Sequence, residues 1–428
     1  MKRVCVIDVA GLSPRLLDRR KDLWMHSLAR PVGAMRPTFP AVCPSVQTSM
    51  TTGRAPGAHG VVGGGVYRRQ AQEVSFAERS NTLLNKKRFW HARDLPQAPK
   101  VSLVFWSNPL AGGADVVVGA ATYGCRCGVV SHHPRGLYED LAEALGPFDV
   151  DALHGPSASF AAGQWIGRAA EEVWRSGRPD LQWVYLPGMD FELVRGGLSA
   201  GSVSEALSAL DGLAERLAAV VRQDGGEVVI VSDGGYVDVC RAASPNVRLR
   251  EAGLLAVRQD EQGEMMDLHN SRAFAMVDHQ FAHLYCLDQR AEDEAAEILG
   301  ALDGVEAVLS RDEAFCEGLG HDRAGERVLV AEADAWFAYR WWPEGHESPA
   351  VVDRFGAEGK CGYDPCELLP GGDDGGFDCD ESHVRASRGR VDIKPADGCV
   401  LGATCGLEAE GDLCVTDLPG VLQRLMFA

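Results

Sequence analysis

Three short apolar runs in this chain each lead to an aspartate, and that repetition limits the folds open to it. Residues 4–7 run into Asp8, residues 181–186 lead through Pro187, Gly188 and Met189 to Asp190, and residues 227–231 lead through Ser232 to Asp233. Between the last two, residues 204–222 carry Leu207, Leu210, Leu213, Leu217, Val220 and Val221 at helical spacing. Helices are also expected over 14–29 and 161–175, and a strand over 32–35. Apolar runs alternating with amphipathic helices specify an α/β fold, a doubly wound, mostly parallel sheet with helices on both faces. Ligands bind such sheets beyond the C-terminal ends of the strands. Asp8, Asp190 and Asp233 would share that edge. Three carboxylates there suit a divalent cation, although each alone is as well explained as a helix cap or turn former.

Residues 39–65, FPAVCPSVQTSMTTGRAPGAHGVVGGG, are the second feature. Pro44 fits the first position of a helix running through Met50, because its missing N–H costs nothing there. Cys43 then lies where free N–H groups and the helix dipole favour an anion and lower a thiol pKa. The bland alternative is a buried structural cysteine in a tight turn. Gly53 stops the helix, and the glycines beyond it let backbone pass close to a ligand. His59 and Gly64 are the candidate substrate contacts of this loop, with hydrogen bonding within the loop as the alternative role of His59.

At 428 residues the chain can bury one large core. A single domain over 1–428 is expected, with an irregular excursion from the main sheet at 68–150 and an inserted, cap-like smaller α/β region at 245–370. A net charge of −19 argues against a nucleic-acid backbone or an anionic membrane surface as partner. The 13 cysteines are odd in number and scattered, which reads as free thiols. The close pairs Cys125/Cys127 and Cys361/Cys366 lack the second half of a structural zinc site. No apolar run reaches bilayer length and no signal peptide is evident, so a cytoplasmic location is expected.

Other residues weigh toward structure. His132 and His133 read as surface loop. Asp278, His279 and His283 lie in a strand-like run that would place both imidazoles on one face; a metal set is chemically feasible, but satisfied structural histidines are the simpler reading. His321 is a weak candidate. The aromatic cluster at 334–342 could stack a base but suits a core, and 371–381 reads as an acidic, glycine-rich surface loop.

The order strand-Asp, then TFPAV with a nucleophile opening a helix, then TTG and HGVVGGG, then a VSD strand end resembles the type I phosphodiesterase and nucleotide pyrophosphatase branch of the alkaline phosphatase superfamily. The stretches LPGMDFELVRGG, NVRLREAGLLAVR, SRAFAMVDHQFAHLY, HDRAGERVLVAEADAWFAYRWW and CGYDPCELL resemble a bacterial subgroup of alkaline phosphatase family proteins. That resemblance implies two metal ions, generally zinc, held by Asp and His, and a nucleophile that attacks phosphorus. It puts Cys43 in the nucleophile position, Asp8 and Asp233 at one metal and Asp190 at the other.

Three expected imidazoles are absent. Gly234 follows Asp233 where histidine is usual, Val194 stands four residues past Asp190, and Arg388 replaces the late histidine. Glu358 aligns with a further histidine of the subgroup and could ligate zinc or manganese, whereas the guanidinium of Arg388 cannot. Fewer than two ions are then expected, with Arg388 a fixed cation for a phosphate oxygen. The setting of Cys43 also departs from that of sulfatase cysteines converted to formylglycine. The sequence thus suits a divergent metal-dependent hydrolase of phosphodiesters or related anionic esters acting on a small phosphorylated substrate. It leaves open a non-catalytic or metal-independent binder, or a Cys43-dependent transferase.

Overall fold

The computed structural model describes residues 1–28, 33–76, 80–93, 95–123, 126–153, 158–260, 263–343, 345–346, 349, 369–370, 377–378, 381–390, 392–407 and 412–428. Glu358, Cys125, the Cys361/Cys366 pair and most of 371–381 lie outside the described residues.

In chain order the strands that build the site are β1 (Val4–Val9), β2 (Gly33–Met35), β3 (Val101–Val104), β4 (Val116–Tyr123), β5 (Arg126–His133), β6 (Leu181–Leu186), β7 (Glu227–Val231), β8 (Ala273–Asp278), β9 (Phe281–Cys286), β10 (Val305–Leu309), β11 (Arg327–Ala331) and β12 (Cys399–Ala403). Eight of them form one sheet in the order β2-β12-β7-β1-β6-β3-β4-β5. The five strands from β7 to β4 run parallel, and β2, β12 and β5 pair antiparallel at the margins. Every residue of β1 and of β6 is buried, which requires cover on both faces. This is the expected α/β class. His132 and His133 close β5 and are not in a loop.

The helices follow from the same pattern. Helix α1 (Pro14–Arg19) is capped by Ser13, and α2 is Cys43–Thr52. Helices α3 (Phe160–Gly177), α4 (Met189–Gly196) and α5 (Gly201–Gln223) follow, and α3 packs on α5 and on β6. The apolar stripe of α5 is buried at Leu207, Leu210, Leu213, Leu217 and Val221. The single helix expected over 14–29 is broken after Arg19, because Asp211 of α5 accepts from the N–H groups of Trp24 and Met25 and opens a separate helix there.

Residues 68–150 are not an excursion from the main sheet. They supply β3, β4 and β5, which extend it beyond β6. A second sheet, β8-β9-β11-β10, is antiparallel throughout and packs with helix α6 (Gln289–Gly300). Its core takes in Phe337, Tyr339, Trp341 and Trp342, so the aromatic cluster fills an interior.

Candidate active site

The parallel strands set the floor. Asp8 of β1 stands opposite Tyr185 of β6 on one side and Val231 of β7 on the other. Asp233 follows two residues after Val231, and Asp190 is the second residue of α4, its Oδ1 accepting from the Gly188 N–H at 2.9 Å. All three are buried. Burial and the neighbouring Asp233 carboxylate push Asp8 well above the usual carboxylate range, and burial also raises Asp190. The three aspartates are thus brought to one buried edge.

Helix α2 opens at Cys43, with Val42 as its cap residue and Pro44 second in the helix rather than first. The helix is polar yet buried, and its side chains bond outward to what surrounds it. Ser45 Oγ donates to the Val61 carbonyl at 3.0 Å, and Ser49 Oγ meets His59 Nε2 at 3.0 Å. Gln47 Nε2 donates to Asp8 Oδ2 at 2.7 Å, while its Oε1 accepts from the Ser107 N–H at 2.9 Å. Gln47 therefore ties α2, β1 and the loop after β3 together. Cys43 lies near enough to Asp233 and Arg388 for both charges to act on its thiol. The expected lowering of its pKa is overturned: burial first, then the Asp233 charge, push Cys43 well above the ordinary thiol range.

Arg388 follows the short strand Ala386–Ser387, which pairs with Val237–Asp238 beyond β7. Its Nη1 donates to Asp233 Oδ2 at 2.9 Å, and Asp233 Oδ1 accepts from the Gly11 N–H at 3.2 Å. The guanidinium lies 4.9 Å from the Tyr236 ring centre. Gly389 sits at φ 112°, where a Cβ would press 3.3 Å from Phe281, so glycine lets Arg388 tuck under the second sheet. Two buried polar atoms here lack a hydrogen bond among the described residues: Asp8 Oδ1 and Arg388 Nε.

The β8–β9 hairpin forms the roof. Asp278 Oδ2 accepts from the Gly64 N–H at 2.7 Å, which ties the glycine loop to the hairpin. Burial raises Asp278 to about 6. His279 lies in the turn, not on a strand face, so it does not pair with His283 as the alternation suggested. Its ring meets Tyr236 edge-on, centroids 6.2 Å apart. His283 is structural, with Nε2 donating to the Val62 carbonyl at 3.0 Å and Nδ1 accepting from the Gly325 N–H at 3.3 Å. His59 is likewise spent within the fold, on Ser49 and on the Val61 N–H at 3.1 Å. It fixes its loop. Tyr185, Tyr236 and Gln47 were not among the sequence candidates, since no local pattern marks them.

A family model for type I phosphodiesterase / nucleotide pyrophosphatase matches residues 4–364. The chain belongs to the type I phosphodiesterase / nucleotide pyrophosphatase family. Among solved structures, phosphonoacetate hydrolase from Sinorhizobium meliloti 1021 in complex with phosphonoformate superposes with a TM-score of 0.64 at 17% identity, covering 100% of this chain and 96% of that one. Murine ectonucleotide pyrophosphatase / phosphodiesterase 5, also solved in complex with AMP, gives 0.63 at 12% identity over 100% and 95%. These likenesses show the fold. Curated protein sequences contain no match to the chain. No helix among the described residues is long and apolar enough to cross a membrane.

Type I phosphodiesterases generally depend on divalent metal ions, and the described residues do not fit the two-ion centre. No group of three or more His, Cys, Asp or Glu among them gathers closely enough to hold an ion. Each Asp233 oxygen already accepts from a donor, one of them Arg388. Gly234 and Val194 offer no side-chain donor atom where the family pattern would have histidine. The Arg388 guanidinium is the cation paired with Asp233.

Proposed function

We propose that this chain hydrolyses a phosphodiester or a phosphonate monoester, with Cys43 as nucleophile and Arg388 in place of a metal ion. The observation that carries the reading is the buried Asp233–Arg388 ion pair on the ligand-binding edge of the sheet, where Cys43 opens α2. Asp233 accepts the thiol proton. Sulfur attacks phosphorus as the P–O ester bond breaks, and that proton leaves with the departing alcohol. Water then cleaves the S–P bond, returning the thiol and releasing the monoester or phosphonate. Arg388 Nε, buried and without a partner among the described residues, donates to a phosphoryl oxygen. Residues 245–370 act as the cap.

The surrounding carboxylates select for charge. Asp8, Asp190, Asp233 and Asp278 face one guanidinium, so a monoanionic diester is favoured over a dianionic monoester. A second reading, an anion-binding protein without turnover, draws support from the raised pKa of Cys43. The test compares bis(p-nitrophenyl) phosphate with p-nitrophenyl phosphate on wild type and Cys43→Ser. Hydrolysis of the diester at least tenfold faster, and a loss of at least 100-fold in the variant, is expected. Equal rates in the two proteins would contradict the nucleophile assignment.

A further inference from the structure

His279 differs from the other two histidines near the site. His59 and His283 have both ring nitrogens hydrogen-bonded inside the fold. Neither nitrogen of His279 has such a partner among the described residues, and Asp278 Oδ1, the nearest acid oxygen, is 4.0 Å from Nε2. Its side chain is 33% exposed, beside residues that are closed off from solvent. The backbone is left-handed at φ 61°, a conformation that costs a non-glycine residue about 1 kcal/mol and that glycine or asparagine adopts more cheaply. The turn does not need an imidazole.

The position of that imidazole is fixed from three directions. The His279 carbonyl accepts from the Phe337 N–H at 2.8 Å, the Gln280 N–H donates to the Arg388 carbonyl at 2.8 Å, and Gln280 Nε2 donates to the Ala335 carbonyl at 2.9 Å. The ring then stands edge-on to Tyr236, whose face lies against the Arg388 guanidinium. Tyr236 thus sits between the Arg388 guanidinium and the part-exposed His279 ring. Partial burial and the Arg388 charge lower the pKa of the imidazole, so it is neutral, with one nitrogen donating and one accepting.

We propose that His279 is a substrate-contacting residue that hydrogen-bonds the ester substituent of the anion whose phosphoryl group lies on Arg388. The identity of that anion rests on the functional reading above. The roof thereby reads the group that distinguishes a diester from a bare phosphate. Tyr236 offers the same substituent an apolar face.

Bis(p-nitrophenyl) phosphate kinetics on wild type and His279→Asn, with diphenyl phosphate binding measured by calorimetry on both, test this. Asparagine keeps the left-handed turn, so thermal stability is expected to hold or rise, and His279→Gly controls for the turn itself. A rise in KM of at least tenfold with kcat within threefold, or a tenfold weaker affinity for diphenyl phosphate, supports the assignment. If wild type binds diphenyl phosphate but turns over no ester, the hydrolase reading fails, while a tenfold binding loss in His279→Asn still upholds the contact. Turnover and binding both within twofold of wild type overturn it, as does a wild type that neither binds nor hydrolyses.

Discussion

Gln47 decides how Asp8 is presented. It is fully buried, and its amide spans the Asp8 carboxylate and the Ser107 N–H. Replacing it with leucine strands both partners in the interior, at about 1–3 kcal/mol for each unsatisfied group. Gln47→Leu should lower stability by about 2–4 kcal/mol in urea titrations and reduce kcat/KM at least tenfold. A change below about 0.5 kcal/mol would mean that the contact carries no load. Asp8, Asp190 and Asp233 were legible in sequence because each follows an apolar run that a parallel sheet ends on one edge. Cys43 was legible from its proline and glycine surroundings, and Arg388 only through the family pattern it breaks. Gln47, Tyr236 and His279 were not legible, since their meaning comes from residues between 39 and 152 positions away. His279 misled directly: alternation put it on a strand face, but the chain reverses there.

Helix α3 places the Asp190 loop. Gly163 of α3 lies so close to that loop that a Cβ would sit 2.6 Å from the Pro187 carbonyl oxygen. Alanine would gain about 1 kcal/mol of helix propensity, but the obstructing atom is backbone and cannot rotate away. Overpacking therefore wins: Gly163→Ala should destabilise by about 1–3 kcal/mol and, by shifting Pro187 to Asp190, lower kcat/KM while the far-ultraviolet circular dichroism stays native. An unchanged kcat/KM would show that Asp190 tolerates movement of its loop. Strands 181–186 and 227–231 could be read from sequence because fully buried strands are continuous apolar runs. Residues 68–150 were misplaced because β3 is only four residues long and irregular turns separate it from β4, and their place in the main sheet is fixed only by pairing, β3 with β6 and β4 with β3. The break after α1 was equally invisible, since the capping Asp211 comes from a helix nearly 190 residues later.

The whole molecule divides the work between two sheets. The eight-stranded sheet brings the buried carboxylates to one edge beside Cys43 of α2, and the antiparallel sheet supplies Asp278 and the turn that carries His279. Family membership and fold fit phosphoester chemistry, yet the position beside Asp233 holds a guanidinium. A fixed cation cannot be lost to a chelator, so the molecule should not need a metal ion for the step at Cys43. The measurement that tests this most directly is kcat/KM for bis(p-nitrophenyl) phosphate after exhaustive chelation, with metal content followed by elemental mass spectrometry, on wild type beside Arg388→Ala. The account predicts that metal-free wild type keeps its activity within twofold and that Arg388→Ala loses at least 100-fold. Activity that disappears on chelation and returns with one or two equivalents of zinc or manganese would contradict it.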